Sequence, residues 1–280
     1  MAIVYWNGDY IPLEKAVVPV EDRGFLFGDG IYEVVRVYGG RPFRLADHLQ
    51  RLHRSAAGAQ LPLADAVDEI PDIIQRLLDE NGLRDTSFYI QCTRGCAHPR
   101  AHAFPAEVHP TLLLMHAPLR PLPANARTNG VSTITVPDLR WRRCDIKSIM
   151  LLPNAMAKTQ AHDAGVFEAI LVRDGLVTEG SSTNVLAVMN GTLVTHQADS
   201  DILGGISRSV VLELAAQLQL PVREEAFTVD EMYSAQELFL SSTMLEILPV
   251  TQVDGRVIGR GRPGPVTERL YEAFGKLISE

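Results

Sequence analysis

One lysine lies in a stretch that is otherwise apolar, and its charge needs an explanation. Lys147 has Ile146 and Ile149 as neighbours in the segment CDIKSIMLLPNAMAK, residues 144–158. Burial of an unpaired ammonium costs several kcal/mol, so this charge must be compensated or used. The chain has only four lysines, and the other three have polar surroundings typical of solvated charges: Lys15, Lys158 and Lys276.

A carboxylate follows a predicted strand further along the chain. Glu179 lies in VTEGSSTN, residues 177–184, between the strand pattern and a Gly-Ser-Ser-Thr turn. A lysine that forms an imine and a carboxylate that keeps a pyridine nitrogen protonated are the two groups that pyridoxal phosphate requires from a protein. Either group alone is weak evidence for this cofactor, because a Thr-Glu-Gly-Ser turn is more often an ordinary loop. Together, Lys147 and Glu179 make this cofactor a hypothesis.

The cofactor phosphate would need donors, and three places in the sequence could provide them. The start of a predicted helix offers free N–H groups and a favourable dipole, a strand end offers hydroxyl groups, and an arginine offers a charge-assisted contact. An ordinary helix cap, a polar loop and an exposed arginine are the alternative interpretations. The residues concerned are Gly204, Gly205, Ile206 and Ser207, then Ser241, Ser242 and Thr243, and finally Arg51.

The elements that must position these residues follow from turn signals and hydrophobic spacing. Asn-Gly and Gly-Gly between short alternating runs predict hairpins within the first forty or so residues. Apolar spacings of three and four predict helices. The helix patterns cover residues 46–57, 67–82, 207–219 and 265–278, and strand patterns cover FYIQCTRG, TLLLMHAPL, VSTITVP, FEAILVR, TNVLAVM, TLVTH and ELFLSST.

A proline-rich stretch divides these elements into two groups. Pro118, Pro121 and Pro123 lie within APLRPLPAN, which is typical of a linker. We therefore expect a mixed α+β protein with antiparallel or mixed sheets and two domains. The predicted boundaries are an N-terminal α/β domain at 1–118, a linker at 119–123 and a larger C-terminal domain at 124–280.

Composition favours a globular protein that acts on small molecules. The 280 residues are 46% hydrophobic with a formal net charge of −8, and no long basic run suggests nucleic-acid or anionic-membrane binding. The N-terminal residues lack a signal-peptide pattern, and no apolar run is long enough to span a bilayer.

The cysteines lack metal-type spacing, and Pro99 interrupts any helical alignment of His98 with His102, so no metal site is expected. We expect a cytoplasmic protein with free thiols.

Five motifs occur in an order that resembles a known family. CDIKS with LLPNAMAK, VTEGSSTN, GGISR and LFLSST resemble the fold-type IV pyridoxal phosphate aminotransferases, and the similarity extends from RGFLFGDGIYE to the C-terminal helix. That group includes D-amino-acid aminotransferase, branched-chain aminotransferase and aminodeoxychorismate lyase. The resemblance implies a larger domain with a pseudo-barrel sheet and a homodimer with its active site at the subunit interface.

The resemblance also implies roles for individual residues. Lys147 would be the Schiff-base lysine and proton shuttle, Glu179 the partner of the pyridine nitrogen, and Leu203 a contact of the cofactor ring. The residues implied to bind the phosphate are Arg51, Ile206, Ser207, Ser242 and Thr243.

The segment TRGCAHPRAHAFP, residues 93–105, distinguishes between members of the family. Its Pro-Arg-Ala-His resembles the D-amino-acid aminotransferase motif in which Arg100 and His102 would bind the substrate α-carboxylate across the dimer interface. Tyr32 matches the tyrosine that completes this carboxylate site. The resemblance therefore predicts ping-pong transamination between D-amino acids, such as D-alanine, and 2-oxo acids, such as 2-oxoglutarate.

Other functions stay open at this point. Branched-chain aminotransferase, (R)-amine transaminase and aminodeoxychorismate lyase share the cofactor residues. An aldolase that uses Lys147 as a cofactor-free imine is a second enzymatic class. A non-catalytic small-molecule-binding protein is a third class, which the presence of a competent residue at every cofactor position disfavours.

Overall fold

The computed structural model describes residues 2–63, 67–119 and 121–279. The chain divides into two compact units: Met1–Arg120 with Ile146–Met150, and Pro121–Asp145 with Leu151–Glu280. The domain boundaries inferred from the sequence stay a prediction, and Arg120 of the predicted linker lies outside the described residues. Ile146–Met150, which the sequence placed in the C-terminal domain, belongs with the first unit in this division.

The first unit is built on an antiparallel sheet. Its strands are β1 (Ile3–Trp6), β2 (Asp9–Pro12), β3 (Gly30–Tyr38), β4 (Arg41–Pro42), β5 (Thr86–Thr93) and β6 (Thr111–Ala117), in the order β2-β1-β6-β5-β3-β4. Its helices are α1 (Arg23–Phe27), α2 (Leu45–Gly58) and α3 (Ile70–Asn81), with a 3₁₀ turn at Leu13–Lys15. Asn7-Gly8 and Gly39-Gly40 form the two predicted hairpin turns, all four residues having positive φ.

Helices α2 and α3 pack on this sheet through the faces that their spacing predicts. The buried residues of α3 follow at three and four: Ile70, Ile73, Ile74, Leu77 and Leu78. Each such side chain contributes roughly 1.5–3 kcal/mol when fully buried. The buried face of α2 differs, because it carries His48 and Arg51 beside Leu52. These two ionisable side chains on a core-facing helix require partners inside the first unit.

The segment around Lys147 is attached to the start of β3. The Tyr32 N–H donates to the Lys147 carbonyl at 3.0 Å, and the Ile149 N–H donates to the Gly30 carbonyl at 3.1 Å. The Lys147 N–H donates to Ser55 Oγ of α2 at 3.1 Å. These backbone bonds hold the segment in the first unit, although its neighbours in the chain belong to the second.

The second unit is built on a mixed sheet. Its strands run in the order β12-β11-β10-β14-β15-β7-β8-β9-β13, and β16 pairs with β15. The bounds are β7 (Val131–Pro137), β8 (Glu168–Arg173), β9 (Leu176–Gly180), β10 (Asn184–Met189), β11 (Thr192–Thr195), β12 (Val222–Glu224), β13 (Phe227–Thr228), β14 (Glu237–Ser242), β15 (Glu246–Val253) and β16 (Arg256–Val257). The helices are α4 (Ala126–Asn129), α5 (Leu152–Asp163), α6 (Ile206–Gln217), α7 (Val229–Tyr233) and α8 (Pro265–Ser279).

The central strands of this sheet are buried along most of their length, which explains their continuous apolar sequences. Five of six residues are buried in both β10 and β14, as expected for strands covered on both faces. The sheet curls into a half-barrel, so the predicted mixed α+β class is confirmed. In the parts of the chain described, no helix combines the length and apolarity needed to cross a bilayer.

Helix α1 depends on a close approach of its backbone to strand β5. The Asp22 side chain caps the helix by accepting from the Gly24 N–H at 2.7 Å, and Gly28 ends it with φ 68°. A Cβ on Gly24 would overlap the Thr93 methyl group and lie 2.9 Å from Asp22 Oδ1. Only glycine fits this position without displacing the capping residue.

The substitution Gly24→Ala should therefore destabilise the protein, by about 1–3 kcal/mol, through overpacking. Gly275→Ala is the matched control, because a Cβ there meets no atom within 4 Å and alanine favours helix α8 by up to about 1 kcal/mol. Urea unfolding followed by circular dichroism measures both variants. Equal stability of the two variants would contradict this account of α1.

Candidate active site

The Lys147 ammonium lies over an aromatic ring. Its Nζ is 4.2 Å from the centroid of the Tyr32 ring, and the side chain is half-buried. The Tyr32 ring itself stacks on Tyr89, with centroids 5.5 Å apart. A cation over an aromatic face gains electrostatic energy of about 0.5–2 kcal/mol, depending on desolvation. The charge that the sequence left unexplained is thus partly compensated within the first unit.

Arg51 is fixed by a buried carboxylate. Glu33 on β3 is fully buried and accepts from Arg51 Nε at 2.7 Å and from Nη2 at 2.8 Å. His48 Nδ1 lies 2.8 Å from Glu33 Oε2. A bidentate pair of this kind sets the plane of the guanidinium as well as its charge. The sequence predicted Arg51 but missed Glu33 and His48.

Two residues of this trio, Glu33 and His48, have lowered pKa values, for different reasons. Burial opposes ionisation of Glu33, but the charge and hydrogen bonds of Arg51 and the hydrogen bond from His48 lower its pKa to about 2. Burial, which disfavours the charged imidazolium, lowers the pKa of His48, although the hydrogen bond and the charge of Glu33 oppose this; the positive charges of Arg51 and Lys147 add to the lowering. Glu33 is therefore anionic at neutral pH.

Glu179 is held by three donors of the second unit. Its Oε1 pairs closely with Arg140, while its Oε2 accepts from Asn184 Nδ2 at 3.0 Å and from the Leu203 N–H at 3.1 Å. Burial acts against the charged form of Arg140, yet its hydrogen bond with Asp138 and the charge of Glu179 raise its pKa. The side chain of Glu179 is 8% exposed, so its carboxylate is oriented rather than mobile.

Asn184 connects the other predicted residues of the second unit. Its Nδ2 also donates to the Leu203 carbonyl at 2.9 Å, and a Cβ on Gly205 would overlap its Oδ1. In the β10–β14 pairing Asn184 lies opposite Ser241, which is adjacent to Ser242. Glu179, Leu203 and the start of α6 therefore gather around this amide. The sequence missed Asn184 and also Arg140, which lies 39 residues before Glu179 in the chain.

The start of α6 presents backbone donors. Gly205 is the N-cap residue and forms no side-chain cap, so the N–H groups of the first turn have no such partner. Ile206 and Ser207 begin the helix and are buried. Near the end of β14, Ser242 Oγ accepts from the Leu245 N–H at 3.2 Å, and Thr243 lies in the following turn. Helix N-termini of this length bind phosphate groups readily.

Arg100 and His102 lie in an exposed loop of the first unit. The Arg100 guanidinium is 4.6 Å from the centroid of the Phe27 ring, and the His102 ring meets Phe27 edge-on at 5.6 Å. Among the described residues, neither forms a hydrogen bond, ion pair or ring contact with Tyr32. His98, for which the sequence suggested no task, has its Nδ1 2.8 Å from Glu21 Oε1.

Comparison with known proteins identifies the family of the chain. Residues 30–253 match the model of the family described as amino-transferase class IV. The chain belongs to the class IV aminotransferases. It is 44% identical over 278 residues to the D-alanine aminotransferase of Bacillus licheniformis, covering 99% of this chain and 98% of the relative. It is 42% identical over 278 residues to the D-alanine aminotransferase of Staphylococcus haemolyticus, with the same coverage.

Solved structures of this family have the same fold. The branched-chain amino acid aminotransferase of Escherichia coli superposes with a TM-score of 0.91 at 29% identity, covering 99% of this chain and 94% of that one. The branched-chain enzyme of Thermobaculum terrenum, solved in its PLP-containing holo form, gives 0.86 at 26% identity with the same coverage. The predicted family, fold class and aminotransferase activity class are therefore confirmed, and the individual site residues stay predictions.

The donors of this class IV aminotransferase fit pyridoxal phosphate. The first unit offers one half-buried primary amine, Lys147, together with the fixed guanidinium of Arg51. The second unit offers an oriented carboxylate, Glu179, and the uncapped start of α6. An aldehyde, an anionic phosphate and a basic ring nitrogen are the three groups that such donors suit.

The buried Glu33 makes the stability of the first unit depend on pH. A carboxyl whose pKa falls from 4.5 to about 2 on folding stabilises the protein above pH 4.5 and loses this contribution as the pH falls. We expect a loss of ~2 kcal/mol between pH 5 and pH 3 that Glu33→Gln abolishes.

Trp6 lies in the first unit and Trp141 in the second, so Trp141→Phe leaves Trp6 as the fluorescence reporter for urea unfolding of the first unit. Glu80→Gln is the matched control, since its ion pair with Arg76 lies at the surface and contributes little. A similar pH dependence in Glu33→Gln and Glu80→Gln would contradict the role of the buried pair.

Proposed function

We propose that this chain transfers the amino group of a D-amino acid, such as D-alanine, to a 2-oxo acid, such as 2-oxoglutarate, with pyridoxal phosphate as cofactor. The products would be pyruvate and D-glutamate. One observation carries this choice within the family: the full-length relatives at 41–44% identity are named D-alanine aminotransferases. The Pro-Arg-Ala-His sequence at residues 99–102 supports the same choice.

Two groups of residues would hold the cofactor. Arg51 and the N–H groups at the start of α6 supply positive charge and donors for its phosphate, and Glu179 supplies an anionic acceptor for its ring nitrogen. When bound, pyridoxal phosphate supplies an electron-accepting ring that stabilises negative charge at the substrate α-carbon. The other residues assigned to its site are Lys147, Leu203, Ile206, Ser207, Ser242 and Thr243.

The chain's own residues would then orient the substrate and move its proton. The Lys147 amine would hold the cofactor aldehyde covalently, and its Nζ would accept and return the proton of the substrate α-carbon. The bonds from Arg140, Asn184 and Leu203 fix the carboxyl group of Glu179, which would accept from the ring nitrogen of the cofactor. Because an amino acid and a 2-oxo acid react in turn at one site, ping-pong kinetics are expected.

The substrate carboxylate would define the stereochemistry. We assign Tyr32 of one subunit and Arg100 and His102 of the partner subunit to this group, in a homodimer whose active site lies at the interface. Held there, a D-amino acid would direct its α-hydrogen toward Lys147. The free cysteines Cys92, Cys96 and Cys144 support a reducing, cytoplasmic location.

A branched-chain aminotransferase is the second candidate, because the superposed structures belong to branched-chain enzymes. A coupled assay with D-alanine and 2-oxoglutarate separates the two functions. We expect pyruvate formation from D-alanine and at least about 100-fold lower kcat/KM with L-leucine. Turnover of L-leucine without pyruvate from D-alanine would overturn the proposal. A panel of (R)-amines tests the (R)-amine transaminase alternative, and a chorismate-derived substrate tests the lyase alternative.

Substitution of Lys147 tests the catalytic centre. Lys147→Ala should lower the transamination rate by at least about 10³-fold, because no other group replaces its proton transfer and its imine. Lys276→Ala is the matched control, since this lysine lies in the last turn of α8. The cofactor's visible absorbance should also change in Lys147→Ala alone. Retained activity in that variant would refute the assignment.

A further inference from the structure

Arg23 binds the backbone of the loop that carries Arg100 and His102. Its Nη1 donates to the Ala101 carbonyl at 2.7 Å and to the Ala103 carbonyl at 3.3 Å, and its Nη2 donates to the His102 carbonyl at 3.1 Å. One guanidinium thus accounts for three successive carbonyls. Among the described residues, no other backbone hydrogen bond is formed by residues 100–104.

Arg23 is buried and the loop that it binds is exposed, so the contact joins a fixed donor to a segment that has little other support. Arg23 is 3% exposed, whereas the side chains of residues 100–104 are exposed. An exposed loop without secondary structure loses conformational entropy when it is ordered, and charge-assisted bonds to a fixed donor offset that loss. The positions of Arg100 and His102 therefore depend on a side chain that touches neither of their functional groups.

Arg23 is itself held by a second buried arginine through a shared carboxylate. Asp29 Oδ2 accepts from Arg23 Nε and from Arg94 Nε, each at 2.8 Å. Arg94 is 1% exposed and also donates to the carbonyls of Ala59 and Gln60. Its guanidinium lies 3.7 Å from the centroid of the Phe104 ring, so it contacts the far end of the same loop.

Helix α1 adds a contact to the side chains of the loop. Phe27 lies one turn after Arg23. The guanidinium of Arg23 is 4.8 Å from the centroid of the Phe27 ring, and the guanidinium of Arg100 is 4.6 Å from it. The His102 ring packs edge-on against the same phenyl group. The segment RGFLFGDG, residues 23–30, to which the sequence assigned no chemistry, thus supports both predicted carboxylate ligands.

We propose that Arg23 is a positioning residue for carboxylate recognition: it fixes residues 101–103 so that Arg100 and His102 present their donors in one arrangement. This inference rests on the proposed function for the identity of the bound group. Arg23 does not touch the substrate, and its effect is confined to amino acids and 2-oxo acids that carry the carboxylate.

Kinetics of the holoenzyme test this role. Arg23→Gln should lower kcat/KM for D-alanine by about 10- to 100-fold, mainly through KM, because a displaced loop weakens binding of the carboxylate. Methoxyamine, an amine without a carboxylate, should discharge the cofactor's visible absorbance at the wild-type rate. Arg23→Lys, which keeps the charge and one donor direction, should recover part of the loss.

A double-mutant cycle separates positioning from a general defect. In the His102→Ala background, Arg23→Gln should change KM for D-alanine by less than about 3-fold, since the loop then carries one fewer carboxylate ligand for Arg23 to position. Arg36→Gln is the matched control: Arg36 also donates to a backbone carbonyl, at 2.9 Å to Thr86, and lies over a tyrosine ring. An unchanged kcat/KM in Arg23→Gln, or an equal loss with methoxyamine, would overturn the proposal.

A measurement on the loop itself distinguishes failure of this inference from failure of the proposed function. The Cε1–H resonance of His102, identified by its loss in His102→Gln, should shift or broaden in Arg23→Gln and stay unchanged in Arg36→Gln. An undisturbed His102 resonance in Arg23→Gln would refute the positioning role. A wild-type enzyme inactive on D-alanine would refute the function, whatever the resonance shows. If Arg23→Gln does not fold, Arg23→Lys and Phe27→Leu carry the same measurements.

Discussion

A carboxyl group removed from water needs cations and donors in place of its hydration, and the surroundings of the predicted site residues follow this constraint. Glu33 meets it with Arg51 and His48, Glu179 with Arg140 and Asn184, and Asp29 with two arginines. In each case the acid and its partner orient each other. The composition agrees, because 22 of the 26 basic residues are arginines, whose planar fork suits buried bidentate pairing.

The two units satisfy the constraint for different purposes. In the first unit the buried Glu33 fixes the plane of the Arg51 guanidinium, a group suited to bind an anion. In the second unit the buried Arg140, with Asn184 and the Leu203 N–H, fixes the carboxyl group of Glu179. In the proposed function, the first arrangement would serve the phosphate of the cofactor and the second its ring nitrogen. Lys147 differs from these ions, since its main polar contact is the face of an aromatic ring.

Local signals in the sequence predicted the elements better than the partners. The hairpin turns at Asn7-Gly8 and Gly39-Gly40 and the helices α2, α3, α6 and α8 follow from turn chemistry and spacing, and the structure confirms them. The family motifs indicated Lys147, Glu179 and Arg51. Glu33 and Arg140 were missed because their roles depend on hydrogen bonds with residues on other elements. One signal was available for Glu33: an acid at a buried position of the alternating strand β3. The pairing of Ile146–Met150 with β3 is long-range, so no local pattern could reveal it.

The start of helix α6 links cofactor binding to folding. A serine, threonine or aspartate at the position of Gly205 would ordinarily cap the helix and contribute about 1 kcal/mol, but the Asn184 side chain leaves no room for a Cβ there. The first turn of α6 therefore has backbone donors without a side-chain cap. A cofactor phosphate bound there, as proposed, would take the place of that cap. Loss of the cofactor would then lower the stability of the protein as well as remove the chemistry.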